Sequence, residues 1–297
     1  MAGVNPCESP EQAAARQFGV DADSFSRRPC SGGCIHRSSS LWHASSEVPL
    51  AFLKENALAH AALFTAEADG LRALAAAGQL RVPRVLAQGT HESSAWLLLE
   101  YLPLQPLNAL SSAQLGAQLA QLHHHSAADH LHGWPQDNFI GTTPQLNTPH
   151  ASWCQFFIEQ RLRPQFDRAR SGGCIFPEED DLLQRADELL RHHQPEPSLL
   201  HGDLWSGNAA ALPDDQAVLF DPACFYGDRE TDIAFSRQFG GFSASFYAAY
   251  EANWPLPPDA PQREPLYQLY HWLNHLNLFG SSYLPSVKYS LNHLLHR

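Results

Sequence analysis

The chain has 297 residues, 44% of them hydrophobic, enough for about two domains or lobes and a sizeable core. Its formal net charge of -12 argues against a nucleic-acid groove, which needs a basic footprint, and no stretch approaches the roughly 18 apolar residues of a membrane helix. The opening MAGVNPCESPEQ lacks the basic and apolar regions of a secretory signal, and six scattered cysteines are too sparse for a disulfide scaffold, so a cytoplasmic protein with reduced thiols is expected.

Residues 1 to about 25 read as a leader and a first helix. The Gly pair in SGGCIHRSSSLWHA (31–44) predicts a tight turn between two strands, and VPLAFLK (48–54) a short strand ending at Lys54. Residues 57–77 are rich in Ala and Leu and predict the strongest helix of the first half, with Gly78 as its C-cap. RVPRVLAQG (81–89) and AWLLLEYL (95–102) follow as strands, and LPLQP (102–106) breaks both patterns and marks a lobe boundary. From 111 the pattern turns helical, with Ser111 and Gln114 as a capping-box signature and Leu115, Leu119 and Leu122 at helical spacing. Helices are expected at 151–170 and 178–193, a short apolar strand AVLF (217–220) leads into Asp221, and the region from about 243 is mostly helical with a break at WPLPPDAP (254–261). A small strand-rich lobe followed by a larger helical lobe is the outcome. His123-His124-His125 and His192-His193 have no zinc-type ligand spacing around them and are expected at the surface near helix ends.

The most informative string is His201-Gly202-Asp203-Leu204-Trp205-Ser206-Gly207-Asn208, followed by Asp221-Pro222-Ala223. Asp203 precedes Asn208 by five residues, and Asp221 follows Asn208 by thirteen. Kinase-like phosphotransferases space a catalytic base and two metal ligands in this way, as H-R-D-x-x-x-x-N and D-F-G; here Gly replaces the Arg. Phosphoryl transfer needs metal ions to neutralise charge, a cation on the phosphates and a carboxylate to orient and deprotonate the nucleophile. Asp203 suits the base, and Asn208 and Asp221 offer the hard oxygens that Mg²⁺ prefers. A lone loop Asp is usually a turn or cap residue; three residues at this spacing, one of them directly after an apolar strand, are not explained that way.

Lys54 precedes Glu67 by thirteen residues, the order of a strand Lys on the phosphates braced by a helix Glu. Such a pair alone is weak, but Lys54 is the only lysine of the first lobe. The turn of Gly32, Gly33 and Cys34 can cover phosphates with backbone N–H groups, although it is neither a Walker A loop nor G-x-G-x-x-G. Glu100, Tyr101 and Leu102 end a strand at the lobe boundary, where backbone groups can meet adenine. In the charged knot of Asp228, Arg229, Glu230 and Asp232, Asp232 is expected to fix the catalytic loop through backbone N–H groups.

HGDLWSGN, FDPACFYGDRETDIAFSRQFGGF (220–242) and LYQLYHWLNHLNLFG (266–280) closely resemble the fructosamine kinase, or ketosamine-3-kinase, family. The likeness extends to SGGCI (31–35), AEADGL (66–71), RVPRVLA (81–87), LLLEYL (97–102), DNFIGTTPQ (137–145) and FFIEQRLRPQ (156–165), and covers about residues 25 to 295. It implies an α+β, bilobal protein-kinase-like fold, with an N-lobe over 1–102 and a C-lobe over 103–297. It also implies ATP with Mg²⁺, and phosphorylation of the O-3 hydroxyl of a small-molecule or protein-bound ketosamine (ribulosamine or fructosamine), leading to deglycation. Carried over by position, Asp203 is the base, Asn208 and Asp221 hold Mg²⁺, Lys54 holds phosphates, and Glu67 braces it. Trp205, Asp137 and Asn138 are the candidates near the sugar. Cys34 matches a phosphate-loop Cys of part of the family and implies a redox switch, with a monomer or a redox-dependent dimer as the assembly. The alternative is a related phosphotransferase acting on an aminoglycoside, choline or another amino alcohol.

Overall fold

The structure is a computed structural model that describes residues 8–30, 36–125 and 131–296. Helix α1 (Pro10–Phe18) begins at a capping box in which Ser9 and Gln12 satisfy each other's backbone N–H groups, and it ends at Gly19 in the left-handed region. Strands β1 (Phe25–Pro29), β2 (Arg37–His43), β3 (Ala51–Ala57), β4 (Val85–His91) and β5 (Ser94–Glu100) form an antiparallel sheet in the order β1-β2-β3-β5-β4. Between β3 and β4 runs α2 (Ala61–Ala77), preceded by a 3₁₀ turn at Leu58–His60 and closed by Gly78 at φ 72°. The expected helix and its cap are therefore present, with the first turn wound more tightly. Contrary to expectation, Lys54 does not end its strand but sits at its middle, because β3 keeps pairing with β5 as far as Ala57.

The two faces of the sheet bury different partners. Leu41, Leu53, Trp96 and Leu98 pack with Ala13 and Ala14 of α1, while Ala95, Leu97 and Leu99 pack with Phe64, Ala68, Leu71 and Leu74 of α2. This is the period-two alternation of a strand buried on both sides. Lys54 stands directly opposite Leu97 in the ladder, so it shares the face that looks at α2.

Beyond the sheet the chain is mainly helical. Helix α3 (Ala109–His125) starts three residues earlier than the Ser111 signature indicates. Asn108 is the capping residue: its Oδ1 accepts from the N–H groups of Leu110 and Ser111, and Ser111 Oγ accepts from the Asn108 N–H. Gln114 is not part of the box; its Oε1 instead accepts the Ala217 N–H. A small hairpin of β6 (Asn138–Ile140) and β7 (Thr143–Gln145) leads to α4 (Trp153–Phe157), which continues through a π-helical turn at Ile158–Leu162 into α5 (Arg163–Ser171). Helix α6 (Glu179–Leu190), strands β8 (Ser198–Leu200), β9 (Ala209–Ala211), β10 (Ala217–Leu219) and β11 (Phe225–Gly227), and helices α7 (Glu230–Ser236), α8 (Ala244–Asn253), α9 (Ala260–Phe279) and α10 (Leu284–Leu295) complete the described chain. The proline-rich break between α8 and α9 is where the sequence places it. One core joins Phe156, Phe157, Leu182, Leu266, Leu273 and Leu291 of the helices. The core under α2 also contains Leu115 and Leu119 of α3, Leu204, Leu219 and Ile233, so it runs from the sheet into the helical region. No helix among the described residues is long and apolar enough to cross a membrane.

Candidate active site

Two short antiparallel pairs frame the site. Strand β8 pairs with β11, β9 with β10, and the HGDLWSGN loop and the Asp221–Cys224 segment run between them. The loop and the segment lie against each other. Gly202 has φ 78°, and a Cβ on it would lie 2.0 Å from the carbonyl oxygen of Ala223. Only glycine tolerates both conditions, which accounts for the Gly that stands where protein kinases carry Arg. The Ala223 N–H donates to the His201 carbonyl at 2.8 Å, and buried His201 donates Nε2–H to the Phe220 carbonyl at 3.0 Å. Burial holds the His201 imidazole below its ordinary pKa, so the ring is neutral and its Nδ1 accepts the Asp203 N–H.

Asp232, at the start of α7, anchors this loop as expected. Its two carboxylate oxygens accept the N–H groups of His201 at 2.8 Å and Gly202 at 2.9 Å. Within the loop, Asn208 Nδ2 donates to both the carbonyl and the carboxylate of Asp203, each at 2.9 Å. Asp203 is half-buried; loss of solvent pushes its pKa up to about 7, against the lowering effect of the Asn208 bond, with Asp221 and Asp232 adding to the rise.

Asp221 follows β10 in the left-handed region, at φ 57°. Lys54 Nζ donates to Glu67 Oε1 at 2.7 Å and also bonds Asp221 Oδ1. Burial alone would depress the Lys54 pKa, but Asp221 and Glu67 outweigh it and hold the ammonium charged. The same burial pushes Glu67 upward. Gly70, one turn beyond Glu67, explains how α2 comes so close: a Cβ there would lie 3.2 Å from both Cys224 Sγ and Pro222 Cγ. The structure thus brings Lys54, Glu67, Asp203, Asn208 and Asp221 together around one loop pair.

Other predicted positions fare differently. Gly32, Gly33 and Cys34 lie outside the described residues. Glu100 ends β5, and its side chain pairs with Arg81 at 2.7 Å and accepts the Arg84 N–H at 3.2 Å. Tyr101 and Leu102 follow, half-buried, with the Leu102 carbonyl accepting from the Leu104 N–H. The Trp205 indole folds over Gly207, where a Cβ would come within 2.2 Å of the ring.

Asp137 accepts the Asn147 N–H at 2.7 Å. Asn138 is buried; its Nδ2 donates to the Cys224 carbonyl at 2.6 Å and its Oδ1 accepts from Gln145 and Asn147. Gln145 also donates to the Ala223 carbonyl at 3.2 Å. These amides hold the backbone just after Asp221. Arg161, buried in the π-helical turn, supports them by donating to Asn147 Oδ1 at 2.8 Å while its guanidinium lies over the rings of Phe225 and Phe156. Gln145 and Arg161 lie in the DNFIGTTPQ and FFIEQRLRPQ stretches of the resemblance, yet no local pattern marks them or Asn147, because the Ala223 carbonyl that Gln145 holds and the Phe225 ring under Arg161 come from elsewhere in the chain.

His124 and His192 are exposed close to helix ends, as expected, but their neighbours His123 and His193 are not. His123 is not at the surface: it is fully buried, between the Tyr250 hydroxyl at 2.9 Å and Asp232 at 3.3 Å. His193 is mostly covered and bonds Asp228 at 2.8 Å, and with Glu230 these groups lie close enough to hold a metal. The protein itself closes that cluster, since Tyr267 donates to Asp228 at 2.6 Å and Arg263 grips Glu230 through two bonds at 2.8 and 2.9 Å. Arg229 turns away to Tyr250 and the carbonyls of Trp254 and Pro255.

Comparison with known proteins agrees with this arrangement. Residues 7–297 match the family model described as fructosamine kinase. A "probable ketoamine kinase" of Synechocystis is 41% identical over 269 residues, covering 91% of this chain and 90% of that one. A crystal structure from Haemophilus somnus 129PT, assigned provisionally as a fructosamine-3-kinase, superposes with a TM-score of 0.88 at 32% identity and covers 97% of both chains. Wild-type aminoglycoside 2'-phosphotransferase-IIIa, at 14% identity and a TM-score of 0.60 over 96% of both chains, shares the protein-kinase-like fold. On the family match and the extent of these similarities, the chain belongs to the fructosamine kinase family.

Proposed function

We propose that this protein transfers the γ-phosphoryl group of ATP to the O-3 hydroxyl of a ketosamine, a ribulosamine or fructosamine carried on a small molecule or a protein. The observation that carries the reading is the convergence of Lys54, Asp203, Asn208 and Asp221 from three separate segments of the chain. The donor set fits Mg²⁺: Asn208 spends Nδ2 on Asp203, which leaves its amide oxygen free to serve with the carboxylate of Asp221 as hard ligands. Mg²⁺ held there would neutralise charge on the phosphate oxygens. Lys54 supplies a fixed positive charge for the same phosphates, and Glu67 keeps its stem in place. Asp203 orients the O-3 hydroxyl and takes its proton as the O-3 to phosphorus bond forms and the bond to ADP breaks. Spontaneous elimination then expels the 3-phosphate as inorganic phosphate, and water hydrolyses the resulting imine to the free amine and a 3-deoxyosone, which makes the reaction a deglycation suited to repair in the cytoplasm. Glu100, Tyr101 and Leu102 border the adenine, and Trp205 and Asp137 border the sugar. Asn138 takes part through the loop it supports. Gly32, Gly33 and Cys34 take the phosphate role that the resemblance implies, and an oxidant that joined two Cys34 thiols as a disulfide would link two chains and lower activity.

The test is release of ADP by the purified protein with ribulosamine and fructosamine acceptors, set beside aminoglycosides and choline. Asp203→Asn is expected to lower kcat by about 10²–10⁴-fold while ATP still binds. Turnover of aminoglycosides or choline alone would replace the acceptor, and full turnover by Asp203→Asn would remove the base.

A further inference from the structure

A wall of aromatic rings stands beside the catalytic loop. Trp205 follows Asp203 by two residues, which keeps their Cα atoms within about 7 Å. Trp205 and Phe239 meet at a steep angle, with ring centroids 5.8 Å apart. Phe239 in turn meets Trp272 at 5.1 Å, His275 at 4.8 Å and Tyr283 at 6.5 Å. Trp272 and His275 project from α9, and Tyr283 from the turn that joins α9 to α10.

Phe239 is the unusual member. The residue is 38% exposed, and its backbone sits at φ 53°, in the left-handed region that bulky residues avoid. Gly240 and Gly241 follow with φ 95° and 73°, so the chain turns sharply directly after the ring. A large apolar side chain kept partly in water on a strained backbone is a poor way to build a core, and such positions cluster at ligand sites.

The rings carry no positive charge of their own. Burial holds the His275 pKa below the ordinary value, and its Nδ1 bonds the His271 carbonyl. Arg237, the nearby guanidinium of α7's C-terminal end, lies over Tyr247 instead and pairs with Glu264 at 3.5 Å. Aromatic faces carry partial negative charge and attract ammonium groups, and the net charge of -12 adds attraction at longer range.

We propose that Phe239 and Trp272, with Trp205, form the subsite for the protonated amine of the acceptor and the first carbons of the arm that leaves it. The assignment rests on the kinase reading above. In a ketosamine only C1, C2 and C3 lie between the amine nitrogen and O-3, so an acceptor with O-3 at Asp203 has its ammonium within a few ångström of the same loop. The wall then selects for a basic nitrogen over an uncharged one.

The test compares two acceptors of one ketose: the alkylamino derivative, which is protonated, and its N-acetyl analogue, whose nitrogen is an uncharged amide. The wild-type protein is expected to favour the charged acceptor by about 3- to 30-fold in kcat/KM. Phe239→Leu keeps the apolar bulk and removes the π face, and it should bring the two values together; Phe239→Tyr should keep them apart. Trp272→Leu gives a second reading of the same ratio should Phe239→Leu fold poorly. A ratio unchanged in both leucine variants, or a wild-type protein that uses the two acceptors equally, overturns the subsite and leaves the kinase intact. A wild-type protein that phosphorylates no ketosamine overturns the kinase reading, and the subsite with it.

Discussion

Gly202 lies so close to Ala223 that any side chain on it would overlap the Ala223 carbonyl oxygen. This contact seats the loop bearing Asp203 on the segment bearing Asp221, and it is a consequence of backbone, not of either carboxylate. Gly202→Ala should therefore act on both at once. The left-handed φ alone costs an alanine about 1–2 kcal/mol, and the overlap must in addition push the two segments apart. A displacement on the order of 1 Å lowers rates by about 100-fold. The expected outcome is a lower Tm with a loss of kcat of at least that order; a variant with wild-type turnover would show that the seating is dispensable.

Asp232 makes the second seat. Asp232→Asn keeps one oxygen for the N–H groups of His201 and Gly202 and turns an amide N–H₂ towards the other. One charge-assisted hydrogen bond is lost, about 1.5–3 kcal/mol. Thermal unfolding should report that loss, and steady-state kinetics should show a fall in kcat with KM for ATP nearly unchanged. An unaltered kcat would mean that Asp203 holds its place without this support.

Asn138 separates support from substrate contact. Asn138→Ala strips the Cys224 carbonyl of a buried donor and should cost about 1–3 kcal/mol of stability. Because that carbonyl lies three residues after Asp221, the expected kinetic signature is a weaker apparent affinity for Mg²⁺, with the relative use of different ketosamines preserved. A change in sugar preference at constant Mg²⁺ requirement would instead put Asn138 in the acceptor site.

Acid should destabilise the fold well above the range in which surface carboxylates titrate. Burial lowers the pKa of His132 from 6.5 to about 4, and buried His271 is also displaced downward. Between those two values the unfolded chain binds a proton that folded His132 does not, so stability is full above 6.5 and declines as pH falls towards 4. Each such histidine contributes up to about 1.4 kcal/mol per pH unit in that window. Denaturant unfolding across the window should show this slope, and His132→Phe should reduce it; an equal slope in the variant would assign the acid sensitivity elsewhere.

Much of the chain was legible from local pattern. The Ala-rich helix and its Gly78 cap, the paired strands before Glu100 and the helical region after the WPLPPDAP break follow from periodicity and turn chemistry that act over a few residues. Where local rules misled, a partner from elsewhere had intervened. Ser111 resembled a cap, but Asn108 caps the helix one turn earlier through the Leu110 and Ser111 N–H groups, and Gln114 was drawn to Ala217. His123 looked like a surface residue at a helix end until α8 supplied the Tyr250 hydroxyl and α7 supplied Asp232.

The sequence by itself determined which groups are available for chemistry: one lysine in the first 102 residues, and an Asp, an Asn and a second Asp at spacings that short loops can bring to one place. That Lys54 meets Asp221 across 167 residues, that Gly70 and Gly202 let backbones approach closely enough for it, and that Phe239 stands next to Trp205 were decided only in three dimensions. The physical reason is that spacing constrains neighbours along the chain, whereas contact between distant segments depends on what each glycine leaves empty and on which buried polar groups find partners there.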